Sequence, residues 1–242
     1  MTSEPHATTH LFLSRARLLS GRGEALSALA PVLLPAEGGK RAGHAHRLVW
    51  LLFQDVPDSE RDFLWRDDGG GKLMILSRRR PSDPNHLFEL QTQVFAPKLS
   101  VGDRLSFVLR ANPTVARKGA RPQPERGTRT RGQRADVVMD ALRAIPRDER
   151  AKKRDDIACE ATEGWLVKQG ARSGFSVNGP IAVGGYTQIA VERRRARPAG
   201  FSVVDIAGRI EITDPAAFLA RLPQGFGSAK AFGNGLMLIR RA

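Results

Sequence analysis

Proton-transfer chemistry in this chain falls to its histidines, because its 242 residues include only one cysteine and one tyrosine. An imidazole gains and loses a proton near neutral pH, so it can take a proton from a hydroxyl or give one to a leaving oxygen. Two of the five histidines, His6 and His10, lie near the N-terminus, and His86 lies in a proline-containing loop. His44 and His46 stand together where the first long apolar segment begins. These two are therefore the candidate catalytic residues.

Position alone does not decide between a catalytic and a structural role for these histidines. The N-terminal end of a helix disfavours an imidazolium, although it favours a bound phosphate. A zinc site formed by His44 and His46 is disfavoured, because no third ligand follows at the usual spacing. The only cysteine, Cys159, excludes a disulfide framework and a cage of thiolate ligands. We therefore predict neither a metal ion nor a cofactor.

A second candidate element is the glycine-rich loop at residues 225–235. Glycine permits positive φ and close backbone approach, and amide N–H groups beside a lysine are suited to phosphate. The loop follows a helix predicted over residues 214–222 and precedes a strand predicted over 236–239. A dinucleotide-binding loop runs from strand to helix instead, and no Gly-Lys-Ser/Thr follows, so both common phosphate-binding loops are excluded. The candidate phosphate ligands are Lys230, Gly225, Gly227, Gly233 and Gly235.

The charge of the chain indicates a polyanionic partner. Lysine and arginine number 39 against 25 acidic residues, a formal net charge of +14. A chain merely kept soluble by its charge would show the same excess, but here the basic residues are clustered. The clusters lie at residues 78–80, 117–134, 152–154 and 193–197. No apolar run approaches the roughly 20 residues that span a bilayer, and the N-terminus lacks signal-peptide character, so we expect a cytoplasmic protein without a membrane partner.

The order of predicted elements indicates an α+β fold made of two ferredoxin-like βαββαβ units. The first unit is predicted to contain a strand at 11–18, a helix at 46–53, strands at 63–67 and 72–78, and a strand at 88–95. The second is predicted to contain a strand at 105–111, a helix around 157–166, strands at 186–192 and 203–213, and then the helix, glycine-rich loop and strand described above. We assign residues 1–98 and 99–242 to two domains. The second carries an insertion at about 114–156, with an arginine-rich mobile arm at 114–134 and a short helix from Val137.

Four stretches of this sequence resemble the CasE family, the CRISPR repeat-processing endoribonucleases of the type I-E surveillance complex, Cascade. They are LFLSRARL at residues 11–18, HRLVWLLF at 46–53, LRANPT at 109–114, and the segment from Thr213-Asp214-Pro215 through GFGSAK to GNGL at 233–236. The strand end at 109–114 and the glycine-rich segment, found together, are the specific part of the match.

The resemblance implies a metal-independent endoribonuclease that cleaves CRISPR repeat stem-loops at the 3′ base of the stem. The 2′-OH would attack its own phosphate and leave a 2′,3′-cyclic phosphate. The protein would then stay on the crRNA hairpin and contact other Cascade subunits, among them the backbone subunit. The resemblance favours His46 as the catalytic histidine, with His44 beside it as the other candidate. The guanidinium of Arg47 is a candidate clamp, because a cation near the scissile phosphate stabilises the charge that builds there. The basic clusters and the glycine-rich loop supply the candidate RNA-binding residues, which are Lys230, the four loop glycines, Arg193, Arg194, Arg195, Arg197, Arg15, Arg117 and Lys118.

One position departs from the family pattern. Members commonly carry a tyrosine three residues before the catalytic histidine, and here that residue is Gly43. The only tyrosine, Tyr186, is distant in sequence. This substitution leaves open weak activity and also an alternative function, a non-catalytic subunit that binds the crRNA hairpin. A general RNA-binding protein would fit the charge but would leave the 109–114 strand end and the glycine-rich loop unexplained.

Overall fold

The computed structural model describes residues 10–19, 35, 38–55, 60–117, 133–191 and 199–242. Its strands form a four-stranded antiparallel sheet from residues 11–95 and a five-stranded sheet from residues 104–241, together with a two-stranded ribbon. Helices pack on both larger sheets. The predicted α+β fold with two ferredoxin-like units is therefore confirmed, whereas the domain boundary at 98/99 stays a prediction.

The first unit has the strand order expected of a ferredoxin-like sheet, β2-β3-β1-β4. Its elements are β1 (Leu11–Leu18), α1 (Gly38–Trp50), β2 (Phe63–Gly69), β3 (Lys72–Ser77) and β4 (Phe88–Phe95). Side chains alternate along β1, so Ala16 and Leu18 are buried against Leu48 and Val49 of α1. Arg15 is exposed on the opposite face of the sheet.

Helix α1 begins at Gly38, so the prediction of a helix starting at His46 was wrong. Its first two turns are polar and contain glycine, and therefore carry no apolar periodicity. A tertiary contact supports them: the Arg41 guanidinium donates to both carboxylate oxygens of Asp67 in β2, at 2.5 and 3.1 Å. His46 thus lies in the second half of α1, and the effect of a helix N-terminus on its charge does not apply.

The second unit has the same sheet order, β11-β5-β10-β8, with β9 paired to the first part of β10. Its elements are β5 (Arg104–Ala111), β6 (Thr114–Arg117), β7 (Gln133–Asp136), α2 (Val137–Leu142), α3 (Arg150–Ala171), β8 (Phe175–Val177), β9 (Ala182–Val191), β10 (Ala199–Ile212), α4 (Pro215–Arg221) and β11 (Met237–Arg241). Helix α4 begins as predicted, with Pro215 at its first position and the Asp214 carboxylate accepting from the Ala217 N–H at 3.0 Å.

The insertion is ordered at its base. Strands β6 and β7 pair antiparallel from Thr114↔Asp136 to Arg117↔Gln133, so the predicted mobile arm at 114–134 was wrong at its two ends. Residues 118–132 lie outside the described part of the chain. The predicted short helix is confirmed as α2, whose first turn is capped by the Asp136 carboxylate accepting from the Met139 N–H.

The first unit has a core of its own beneath α1, and it also contributes side chains to the core of the second unit. Leu64 of β2 and Leu76 of β3 pack in the same cluster as Leu109 of β5 and Phe226 of the glycine-rich loop. Strand β2 is the edge strand of the first sheet, so the second unit packs where that sheet ends. The candidate functional residues of the two units lie next to one another at this junction.

Candidate active site

The glycine-rich loop and the strand end at 109–114 form one structure. The Ser228 N–H donates to the Asn112 carbonyl at 2.9 Å, and the Gly235 N–H donates to the Arg110 carbonyl at 2.7 Å. The hydroxyls of Thr114 and Ser228 lie 2.8 Å apart. The two motifs that carried the family resemblance are therefore in direct contact, although more than 100 residues separate them in sequence.

The loop glycines are required by close packing around β2. A Cβ at Gly225 would lie 2.8 Å from Leu64 Cδ1, and one at Gly233 would lie 2.9 Å from the Trp65 ring. Because Leu64 and Trp65 point to opposite faces of β2, the loop holds this edge strand from both sides. The amide N–H groups of Gly225 and Gly235 donate to backbone carbonyls, so in this conformation they do not face a ligand. Phosphate binding by the loop glycines stays a prediction.

Lys230 lies in a short 3₁₀ turn of the loop, and its ammonium donates to the Gln224 carbonyl at 2.6 Å. Burial, together with the positive charges of Arg221, Arg61 and Arg134, lowers the pKa of Lys230 from 10.5 to about 8. Lys230, the residue predicted to bind phosphate, therefore lies close to three other cations.

We call Arg61, Arg134, Arg221 and Lys230 the cation cluster. Their recorded hydrogen bonds go to neutral groups: Arg134 donates to the Ser228 hydroxyl, and Arg221 donates to the amide oxygens of Gln224 and Gln169. Among the residues that the structure describes, none of the four forms an ion pair. Like charges brought together and partly buried destabilise one another, so this arrangement favours an anionic ligand.

Two other arginines that are not fully exposed are neutralised within the fold, unlike those of the cluster. Arg110 forms a bidentate pair with Asp205 at 2.8 and 3.1 Å, and Arg79 forms one with Asp62 at 2.8 and 3.1 Å. These pairs satisfy the guanidinium within the fold. The cation cluster retains its charge for a partner.

His46 lies beside this cluster and is half-buried. Its Nε2 accepts a hydrogen bond from the Trp50 indole N–H at 3.2 Å, one helical turn further along α1. Its Nδ1 is buried without a hydrogen-bond partner among the described residues. Burial lowers the pKa of His46, and the charge of Arg61 lowers it further. The imidazole is therefore biased towards its neutral form, which is the form that accepts a proton.

The structure separates His46 from other residues predicted to act with it. Side chains along a helix turn by about 100° per residue, so His44 and Arg47 project from other sides of α1 than His46 does. Arg47 is exposed, and Arg15 lies on the far face of the first sheet. Arg117 ends β6, and its side chain is not described, while Lys118, Arg193, Arg194, Arg195 and Arg197 lie outside the described residues. The roles of these residues stay predictions.

Arg61, Arg221 and Trp50 are part of the site but were not predicted from the sequence. Arg61 stands two residues before β2, and one of its guanidinium nitrogens is buried with no hydrogen-bond partner in the described structure. Arg221 ends α4, with its guanidinium 5.4 Å from the centre of the Phe226 ring. The spacing of Trp50 four residues after His46 was the one available signal, because such a pair shares a helix face. The two arginines carried no local signal.

Tyr186 does not replace the missing family tyrosine. Its hydroxyl donates to Asp136 at 3.0 Å, and Ser202 also donates to that carboxylate. Burial, together with the negative charge of Asp136, raises the pKa of Tyr186 to about 12. This hydroxyl therefore keeps its proton at neutral pH.

The described residues offer neither a metal-binding cluster nor a membrane-spanning helix. They contain no group of three or more histidine, cysteine or carboxylate side chains placed to hold a metal ion. Within the same residues, no helix is both long enough and apolar enough to cross a membrane.

Solved structures with the same fold cover nearly the whole chain. Cse3 from Thermus thermophilus, bound to an RNA representing a pre-cleavage complex, matches at a TM-score of 0.64 and 21% identity, over 96% of this chain and 99% of that one. Cas6e from Escherichia coli K-12 matches at 0.58 and 18% identity, over 96% and 100%. A chain of a CRISPR RNA-guided surveillance complex matches at 0.55 and 18% identity, over 96% and 100%.

Sequence comparison identifies the family directly. No curated protein matches this chain. The sequence model of the CRISPR associated protein family, however, matches residues 11–241. As the resemblance predicted, this chain belongs to the CRISPR associated protein family.

Proposed function

We propose that this protein is a metal-independent endoribonuclease that cleaves the stem-loops of CRISPR repeat RNA. The observation that carries the proposal is the cation cluster beside His46, where partly buried positive charges have no carboxylate partner in the described structure. An RNA phosphate supplies the missing negative charge. The RNA-bound state of Cse3, which shares the fold, supports this assignment.

In the proposed reaction the 2′ oxygen of one nucleotide attacks the adjacent phosphorus, and the bond from phosphorus to the 5′ oxygen breaks. His46, biased towards its neutral form, takes the proton of the 2′-OH. Lys230, protonated below its pKa of about 8, gives a proton to the departing 5′ oxygen. Arg61 and Arg221 stabilise the charge that builds on the phosphate. The products are a 2′,3′-cyclic phosphate and a 5′-OH, and no metal takes part.

Trp50 controls whether His46 can act. The Nε2 lone pair accepts the indole N–H in this conformation, so it cannot accept a substrate proton at the same time. RNA binding must therefore rotate one of the two rings before cleavage. We propose that the described arrangement is the resting state of the site.

The same hydrogen bond also favours a second candidate function, a non-catalytic subunit that holds the crRNA hairpin. If the Trp50–His46 contact persists with RNA bound, the imidazole has no proton-accepting role, and Gly43 supplies no hydroxyl in its place. The cation cluster would then serve binding alone. Both functions keep the hairpin on the protein, since a stem recognised by its phosphates survives a cut at its base. Other subunits of the Cascade complex, with its backbone subunit among them, are the proposed protein partners, as the surveillance-complex chain with this fold suggests.

Paired alanine variants of the two neighbouring histidines test the proposal in excess chelator. His46→Ala should slow single-turnover cleavage of repeat RNA by about 10²–10⁴-fold while leaving hairpin affinity nearly unchanged, because a general base acts in the transition state. His44→Ala is the matched variant on the same helix and should keep cleavage. A strict requirement for magnesium would contradict the mechanism. An inactive His44→Ala variant together with an active His46→Ala variant would contradict it as well. Tight hairpin binding with no cleavage by the unmodified protein would establish the non-catalytic function instead.

A further inference from the structure

A polar cavity of about 450 Å³ lies between the glycine-rich loop, the β6–β7 ribbon and the paired strands β9 and β10. The polar side chains that line it include those of Asn112, Thr114, Arg134, Gln188, Ser202 and Ser228. Hydroxyls, carboxamides and a guanidinium together offer both donors and acceptors. Neither the family resemblance nor the cleavage mechanism gives this cavity a role.

Internal hydrogen bonds hold the cavity wall in shape. The Asp136 carboxylate accepts from the Tyr186 hydroxyl at 3.0 Å and from the Ser202 hydroxyl. The Asn112 side-chain amide donates to the Ser202 carbonyl at 2.7 Å. The one carboxylate of the wall is thereby satisfied within the fold, so it does not repel an anionic ligand as a free carboxylate would. A preformed wall of this kind is typical of a binding site.

The mouth of the cavity adjoins the proposed scissile phosphate. Arg134 is exposed and donates to the Ser228 hydroxyl at 3.0 Å, and its charge is one of those that lower the pKa of Lys230. A guanidinium carries five N–H donors, so this single bond leaves capacity for a phosphate. A nucleotide whose phosphate lies at Lys230 therefore has its neighbour within reach of the cavity.

We infer that the cavity binds the base and sugar of one unpaired ribonucleotide next to the scissile phosphate. The inference rests on the proposed function, because it needs the phosphate at the cation cluster. A paired base of the stem is excluded, since its hydrogen-bonding edge faces its partner, whereas an unpaired base can be turned out and read by carboxamides and hydroxyls. The volume lies within the range of small-molecule sites.

Abasic substitution in the RNA tests the inference with the unmodified protein. The probe is the repeat stem-loop transcribed from the host's own CRISPR array, with a 2′-deoxy nucleotide at the scissile position to prevent cleavage. Removing the base from one of the two nucleotides that flank the scissile phosphate should weaken equilibrium binding about tenfold. Removing a base from an unpaired nucleotide further away should have little effect. Unchanged affinity for both flanking abasic RNAs would overturn the inference.

A cavity-filling variant provides the protein half of the test. Gly200 lies two residues before Ser202 on β10, so a side chain at 200 projects on the same face as the Ser202 hydroxyl. An added Cβ there meets only the Ile189 carbonyl, at an ordinary 3.5 Å. Gly200→Val should weaken binding of the intact RNA about tenfold and should have no further effect on the sensitive abasic RNA. The matched control is Ala182→Val, at an exposed position on β9.

The outcomes separate this inference from the proposed function. If the losses of affinity caused by Gly200→Val and by base removal multiply, the two changes act independently. That result would overturn the inference, even if the hairpin binds. Failure of the unmodified protein to bind the stem-loop at all would overturn the proposed function. If Gly200→Val does not fold, the abasic series still decides, because it uses the unmodified protein.

Discussion

Replacing Lys230 by methionine is expected to stabilise the folded protein and weaken its RNA binding. Burial and the neighbouring cations lower the pKa of Lys230 from 10.5 to about 8, so the folded state holds this charge unfavourably. At 1.36 kcal/mol per pH unit the cost at neutral pH would be roughly 3 kcal/mol in a fully buried site. Lys230 is partly exposed, and solvent screening reduces the expected gain from methionine to about 1 kcal/mol, or roughly 2–4 °C in Tm. The lost hydrogen bond to the exposed Gln224 carbonyl is replaced by water.

The pH dependence follows from the direction of this pKa. Between about pH 8 and 10.5 the folded protein has released the Lys230 proton while the unfolded chain still holds it. The unfolded state binds more protons in this window, so stability rises with pH there, and below pH 8 the unfavourable charge acts in full. The Lys230→Met variant should lack this rise.

Thermal unfolding from pH 7 to 10, with RNA binding at several salt concentrations, measures both effects. Lys230→Met should also lower the slope of log affinity against log salt by about 0.7–0.9, the value for one lost phosphate contact. Lys72→Met, at an exposed position that begins β3, is the control and should change neither quantity much. A variant less stable than the unmodified protein at pH 7, or one that keeps the rise above pH 8, would refute the reasoning about the cation cluster.

Two further substitutions test the helix and the loop that form the site. Gly43→Tyr should fold normally, since an added Cβ at Gly43 has nothing within 4 Å. By supplying the family hydroxyl it should raise the rate of single-turnover cleavage about tenfold, and this gain should vanish in the His46→Ala background. A stable Gly43→Tyr variant that cleaves no faster would contradict the prediction. Gly227→Ala should lower the free energy of unfolding in urea by about 2–4 kcal/mol, because Gly227 has a φ of 78° and its added Cβ would lie 2.5 Å from the Asn112 carbonyl. Gly70→Ala, also at positive φ but with open space around it, is the control at about 1 kcal/mol, and equal losses would show that loop packing is not the cause.

The fold was predictable because its signals are local. Alternation along residues 11–18, three glycines after residue 68, and the Asp214-Pro215 helix start each specify an element without reference to the rest of the chain. The first half of α1 was missed because Arg41 is fixed by Asp67, 26 residues away, and not by apolar periodicity. The base of the insertion was missed for a similar reason, since β6 and β7 stabilise each other across a segment of arginine and glycine.

The site was less predictable, because burial and charge act between distant segments. His46 and Lys230 were identified by residue type and motif, and the structure brings both to the unit junction. Arg61 and Arg221 resemble any other arginine in a chain with 39 basic residues. Only the fold shows that these two are partly buried and lack carboxylate partners among the described residues, whereas Arg79 and Arg110 are paired.

The location of the site at the junction explains why a fold would keep such an unfavourable cluster. Each unit contributes part of it, with Arg61 from the first and Arg134, Arg221 and Lys230 from the second. Repulsion among these charges opposes the packing of the two units against each other. The core residues around Leu64 and the contacts between the glycine-rich loop and β2 favour that packing. A bound phosphate removes the repulsion without disturbing the packing. RNA should therefore strengthen the contact between the units. A substrate that stabilises the junction in this way will be released slowly, which agrees with the proposal that the protein stays bound to its product.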